Sequence, residues 1–492
     1  MAQGSKDGTM KIPTLTIVKS VAWNSVGNMV GIVCTLISLM IMSRLLTPAD
    51  FGLFGIAMVV LLMAEGFCYG EAQDSLIQHE NTNSKHINTL HAASTIISVT
   101  VFAGLFVAAP FLASVFSQPD LVPIIRAIAC ILLVGPLSAT SAALLIRELE
   151  FKKITAVDIA GTIIPAIIGV TLAYYLRSAW ALVWLELSRR LIRCLMFTLM
   201  AKYRPRYEFD VASFKELFSF AGYSTLLGFA VAIQRATPGA IIGWAMGTAP
   251  LGLFNMALRF FEQARQALIT PFAAVAFPVF SKAQATREEL HRVIKDSSTI
   301  SMYLVLPAFL GALVLAPLLV PLLFGDQWIG AIQTTQMALL LGPLTMIEDI
   351  NNNLLKGIGR PVLVARITIV STIFTAIGVF LVSGFTIEAV MGILIAQKVL
   401  AVTLATFMAK QFAGYSFADQ FLPLKLPALS ALSMAGIVWA AKIALPASLP
   451  VILQVGILVS IGIAAYLALV RIFAPDVPKA AIQLLKGARS AS

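Results

Sequence analysis

The chain has 492 residues, of which 59% are apolar and 12% charged, and its formal net charge is +11. Soluble domains carry about 25% charged residues, so a water-soluble globule is excluded. The apolar residues run in continuous blocks of about twenty, the length a helix needs to cross a bilayer core. The alternating ten-residue stretches of a membrane β-barrel do not occur. Because every backbone N–H and C=O must be paired within lipid, the prediction is an all-α polytopic membrane protein with about 14 transmembrane helices.

In chain order, a polar N-terminal stretch of about twenty residues precedes a long apolar block, unlike a cleaved signal peptide. Spans are predicted near 22–42, 51–70, 89–112, 121–146, 155–176, 179–201, 217–245, 250–279, 299–324, 331–355, 361–384, 386–409, 423–446 and 449–471. With the N-terminus inside, the inside segments collect twenty-three Lys and Arg, against Arg44 and Arg177 outside. Cytoplasmic loops carry such an excess, and one missed span would reverse every later loop. Both termini are therefore expected in the cytoplasm. The net charge is mostly topology, and no basic stripe interleaved with aromatics points to nucleic acid.

The loops hold no domain. They contain no GxxxxGK[ST] phosphate loop, no HExxH and no GxSxG elbow. Cys34, Cys68, Cys130 and Cys194 fall inside spans with no metal-ligand spacing, as inert thiols would. No cofactor and no metal is expected. A channel, a transporter or a membrane-embedded enzyme remains, and the short outer loops disfavour an enzyme.

An internal duplication favours a transporter. Gly52, Leu53, Phe54 and Ala57 recur as Gly252, Leu253, Phe254 and Ala257. Ala109-Pro110 and Gly135-Pro136 answer Ala316-Pro317 and Gly342-Pro343. Ile168-Gly169-Val170 answers Ile377-Gly378-Val379, and Thr198–Lys202 answers Thr406–Lys410. Four collinear matches at nearly constant offset predict two six-span halves, 15–205 and 215–412. A cytoplasmic linker, 206–214, joins them. Two unduplicated spans in 423–473 and a tail, 474–492, follow. An even number of spans makes the halves parallel repeats, as in many transporters.

Ten Lys and Arg and seven acids lie within spans, so the core is net cationic. A central Arg costs about 2.5–3.5 kcal/mol on insertion scales, so it needs a wet cavity, a partner or an interface. Arg126, Arg366, Arg193 and Lys442 lie where snorkelling suffices. Arg190 and Lys398 are equivalent under the duplication and sit about halfway along their spans. They are candidates for two sides of one cavity, although Arg190 has Glu186 one turn away and could pair with it. Asn255, Arg259, Glu262 and Gln266 make a polar stripe, with Arg265 beside it and Gln234-Arg235 on the preceding span. Arg189 completes the set. The substrate-binding candidates are thus Arg190, Lys398, Arg235, Arg259, Arg265 and Arg189. Such a cavity suits an anion such as a pyrophosphate. Asp158, Glu65, Glu262 and Asp349 are candidates for coupling to H⁺ or Na⁺.

Three segments carry a family resemblance: Ser43–Phe54 (SRLLTPADFGLF), Leu144–Lys153 (LLIRELEFKK) and Leu323–Trp328 (LFGDQW). On these the chain resembles the polysaccharide transporter (Wzx-type flippase) family of the multidrug/oligosaccharidyl-lipid/polysaccharide exporter superfamily, nearest its succinoglycan and colanic acid type exporters. The resemblance implies two V-shaped six-helix lobes plus two peripheral helices. It implies flipping of undecaprenyl-pyrophosphate-linked oligosaccharide units across a bacterial inner membrane, by ion-coupled alternating access. The partners it implies are that lipid-linked substrate, membrane lipid, and the polysaccharide polymerase and chain-length machinery. It transfers no residue roles. A multidrug or cation antiporter, or a flippase for another lipid-linked precursor, is the alternative. A membrane polymerase is disfavoured by the short loops.

Overall fold

A computed structural model describes residues 14–68, 76, 83–206, 208–272, 287–382, 384–446 and 448–473. The regular secondary structure of the described residues is helical, with no strand. The first group of helices is α1 (Thr14–Leu45), α2 (Pro48–Cys68), α3 (Ser84–Val115), α4 (Leu121–Ala129), α5 (Ile131–Arg147), α6 (Phe151–Leu176) and α7 (Trp180–Ala201). The second is α8 (Val211–Ala245), α9 (Thr248–Leu268), α10 (Arg287–Phe324), a 3₁₀ turn (Asp326–Ala331), α11 (Ile332–Gly357), α12 (Pro361–Leu381) and α13 (Ile387–Ala413). A short α14 (Phe417–Phe421) leads to α15 (Lys425–Ala444) and α16 (Val451–Phe473).

Among the described residues, nine helical segments are long and apolar enough to cross a membrane. They comprise α2, α3, the α4–α5 pair, α6, α10, α12, α13, α15 and α16. The chain is a multi-pass membrane protein. The remaining long helices are α1, α7, α8, α9 and α11. The shortest of these, α9, has 21 residues, so length is not what sets them apart. Charge distinguishes two of them: α7 carries Glu186, Arg189, Arg190 and Arg193, and α9 carries Arg259, Glu262 and Arg265. These two helices turn charge inward, whereas α16 has apolar side chains exposed along its length for lipid.

The predicted fourth span is broken at Cys130, whose amide bonds to Ala127 three residues back and tightens the turn there. α10 has 38 residues, about 57 Å of helix, well beyond a bilayer core of about 30 Å. Its charged first turns, Glu288 to Asp296, supply the excess. α6 packs on α1 and α7, and α11 packs on α10 and α13, while one hydrophobic core cluster runs through both groups. The largest contacts between the groups run from α2 to α8 and α9, and α15 and α16 lean on α10.

One end of this interface is sealed by backbone. A Cβ on Gly52 would overlap the carbonyl oxygen of Thr248, and a Cβ on Gly252 would overlap that of Pro48. The duplicated glycines thus pack reciprocally, each against the other helix's first turn. A polar latch flanks them. The Trp328 indole N–H donates to the Ser43 carbonyl at 2.8 Å, and the Gln327 amide donates to the carbonyls of Ser43 and Leu46. Arg44 donates to the Leu322 carbonyl at 2.6 Å. Trp328 is fully buried and meets Phe51 edge-on, ring centroids 5.1 Å apart. Gly325 enters the latch at φ +101°, a conformation that L side chains rarely adopt.

Candidate functional site

Below the glycine crossing, α2, α8, α9, α11 and α13 part around a cavity of about 780 Å³. This lies within the usual range for small-molecule sites, about 300–1,000 Å³. Gly55 and Asn255, one turn from the crossing, begin it, and Glu65 and Arg265, about 15 Å further along the two helices, bound it. Proline 238 on α8 lies in its wall.

Eight of the ten sequence-predicted site residues converge here: Arg190, Arg235, Arg259, Arg265, Lys398, Glu65, Glu262 and Asp349. Helical spacing brings Arg259 and Glu262 together with Asn255, since the three follow one face of α9. Arg189 instead faces two side chambers, of about 310 and 480 Å³, which adjoin the cavity at Arg259 and Arg190 respectively. Asp158 lies outside the central cavity and pairs with Arg193 at 3.0 Å.

Most of the cavity cations are already neutralised. Arg190 bridges Glu65 at 3.2 Å and Glu186 at 2.9 Å. Glu186 is buried and also takes Arg189 at 3.0 Å. Arg265 grips Glu262 with two parallel bonds of 2.7 and 2.8 Å, the strong forked geometry of a guanidinium on a carboxylate. Lys398 pairs with Glu348 across α11 and α13. That acid is 50 residues away in sequence, so the neighbourhood of Lys398 gave no sign of it.

Two cations stand apart. Among the described residues, no carboxylate lies within ion-pair distance of Arg235 or Arg259, and no cation lies within it of Asp349. Arg259 instead sits over the rings of Phe51 and Phe54, its Cζ 5.6 and 5.8 Å from their centroids. The rings belong to α2 and the arginine to α9, so the contact crosses between the helix groups. Glu186 pairs with Arg190 as its spacing in sequence allowed, whereas sequence reasoning missed Glu65 and Glu348 as partners of the cavity cations, and Phe51 and Phe54 as a platform for Arg259. Arg126 behaves as a snorkelling residue, donating to the Phe106 carbonyl and covering that ring at 4.6 Å.

The family model described as "Polysaccharide biosynthesis protein" matches residues 41–333, more than half of the chain. The chain belongs to this polysaccharide biosynthesis protein family. The matched region runs from the latch through the sealed crossing to the 3₁₀ turn, so it includes both halves of the sealed end. The lipopolysaccharide biosynthesis protein WzxC of Escherichia coli (strain K12) is 23% identical over 415 residues, covering 83% of this chain and 84% of WzxC. The succinoglycan biosynthesis transport protein ExoT of Rhizobium meliloti (strain 1021) is 23% identical over 396 residues, covering 80% of each. Among solved structures, the lipid II flippase MurJ in an inward closed conformation superposes with a TM-score of 0.77 at 12% identity, over 94% of this chain and 99% of MurJ. That likeness establishes a shared fold.

Proposed function

We propose that this protein is a flippase, not an enzyme. It moves undecaprenyl-pyrophosphate-linked oligosaccharide units from the cytoplasmic to the periplasmic leaflet of a bacterial inner membrane, for exopolysaccharide assembly. The observation that carries this reading is the pair of cations that, among the described residues, have no ion pair in a cavity whose other described cations are neutralised. A guanidinium without a counter-ion in a low-dielectric site favours an anion strongly, and a pyrophosphate offers several acceptor oxygens for its fork. Arg235 and Arg259 would hold it. The cavity has no matching excess of acids to recommend a cationic substrate. The relatives' names, in lipopolysaccharide biosynthesis and succinoglycan transport, support the same substrate class.

The Lys and Arg distribution supports termini in the cytoplasm and a sealed end toward the periplasm. The chain then rests closed on the outside, and substrate enters from the cytoplasmic leaflet. Two six-helix lobes, 15–205 and 215–412, rock about the α2–α9 crossing. Asp349, the cavity acid without an ion pair among the described residues, is the site for coupling to H⁺ or Na⁺. The glycan handed over outside feeds a polymerase and chain-length apparatus. In a deletion strain, lipid-linked repeat units should accumulate on the cytoplasmic leaflet. Single repeats accumulating on the periplasmic leaflet would instead mark a polymerase and contradict the reading.

A further inference from the structure

Arg259 has no carboxylate among the described residues to hold it, yet it is positioned. Phe51 and Phe54 supply the position, three residues apart on one face of α2. A guanidinium can lie flat on aromatic rings and still offer its N–H edge to an anion. Both rings are buried, and Phe51 is the ring that Trp328 meets edge-on inside the latch. Gly52, the residue beside Phe51, makes the sealed crossing with Thr248. The path from cavity to seal is therefore short and continuous: Arg259, Phe51, Trp328 and the Ser43 carbonyl.

Since the rings and the arginine sit on different sides of the crossing, parting α2 from α9 at the glycines must carry the rings away from Arg259. We propose that Phe51 and Phe54 are positioning residues for the anion-binding guanidinium of Arg259, completing a pyrophosphate-binding site only while the outer seal is shut. The site then binds a lipid pyrophosphate well in the sealed state and weakly once the seal opens, which sets release on the outer side. By linkage, bound pyrophosphate favours the sealed state by the same factor. This rests on the substrate reading above for the identity of the anion, but not for the ring–arginine contact itself.

The test uses the full-length protein in lipid nanodiscs, with undecaprenyl pyrophosphate as the probe. Binding and amide hydrogen exchange in 43–54 and 326–331 are measured together. The ligand should slow exchange in both segments at least fivefold. Phe54→Leu, which keeps the bulk and does not touch Trp328's partner ring, should weaken binding at least tenfold and lose that protection. Phe54→Tyr, which keeps the ring, should retain both within twofold. Without ligand, Phe54→Leu and Arg259→Gln should each speed exchange in the two segments, and the double variant should go no further than either. Leucine binding within twofold of the parent, binding without slowed exchange, or additive effects in the ligand-free double variant would overturn the proposal. Failure of the parent to bind undecaprenyl pyrophosphate would instead sink the substrate reading, and the ligand-free exchange would still decide the contact.

Discussion

At the scale of single residues, the cavity divides cations that are spent from cations that are available. Lys398 and Glu348 have side chains only 26% and 15% exposed, so removing one leaves the other poorly solvated. Stranding one partner of a buried pair costs about 3–5 kcal/mol. Lys398→Ala should therefore lower the amount of protein in the membrane and its thermal midpoint, and Lys398→Ala with Glu348→Ala should recover much of both. Arg235→Ala and Arg259→Ala strand no ion-paired carboxylate among the described residues. They should leave membrane levels near the parent's while polysaccharide output falls at least tenfold; normal output from both would show that neither holds the substrate. The sequence made Arg190 and Lys398 prominent because the duplication pairs them at equal depth. It offered Glu186 to Arg190 but could not show Glu65 or Glu348, which reach the two cations across helices at 125 and 50 residues' separation. Pairing of that kind is set by how helices face one another, and a single sequence carries no direct sign of it.

At the scale of helices, the α2–α9 crossing is the part of the fold most exposed to a small change. Gly52→Ala would push a methyl into the Thr248 carbonyl, and overpacking typically costs about 1–3 kcal/mol. Since the clash lies where α2 and α9 cross at the seal, the cost falls on the sealed state. Gly52→Ala and Gly252→Ala should each raise the labelling of a cysteine placed at Ser43 by a membrane-impermeant thiol reagent, in a background free of the native cysteines. Unchanged labelling would mean that the crossing adjusts without opening. The recurrence of these glycines was legible as duplication, but its reason, two backbones in contact, appears only once the helices are packed. A second element lies outside the membrane spans. In α14, the Ser416 side chain accepts from the Asp419 amide while the Asp419 carboxylate accepts from the Ser416 amide and hydroxyl, a capping box. The Ser416 hydroxyl and amide hold the Asp419 carboxyl below its ordinary value. A depressed carboxyl stabilises the folded chain above its unfolded value, and that contribution disappears as pH falls through the folded one. Asp419→Asn should therefore speed exchange across 417–421 relative to the parent at pH 7, and the gap should close in the acid range below about pH 4. A gap unchanged at acid pH would show that the carboxylate charge is not what caps the helix.

At the scale of the whole molecule, hydropathy and loop charge revealed the polytopic helical architecture, because bilayer thickness and the backbone's need for partners leave few alternatives. The same apolar character made the cavity harder to see. The charges on α7 and α9 stood out in the sequence, whereas Phe51 and Phe54 read only as apolar residues inside a family-like segment. An aromatic ring under an arginine looks the same in sequence as a ring against lipid. On the proposed function, a purified copy of this chain moves a pyrophosphate-linked saccharide lipid between leaflets through the Arg259 cavity. The direct measurement is flipping in proteoliposomes of a fluorescent undecaprenyl-pyrophosphate saccharide, followed by dithionite reduction of the label in the outer leaflet. Vesicles carrying the parent protein should expose nearly all of the label, while protein-free vesicles and vesicles with Arg259→Ala protect about half. Protection of half the label by the parent as well, with the protein folded and inserted, would contradict the account.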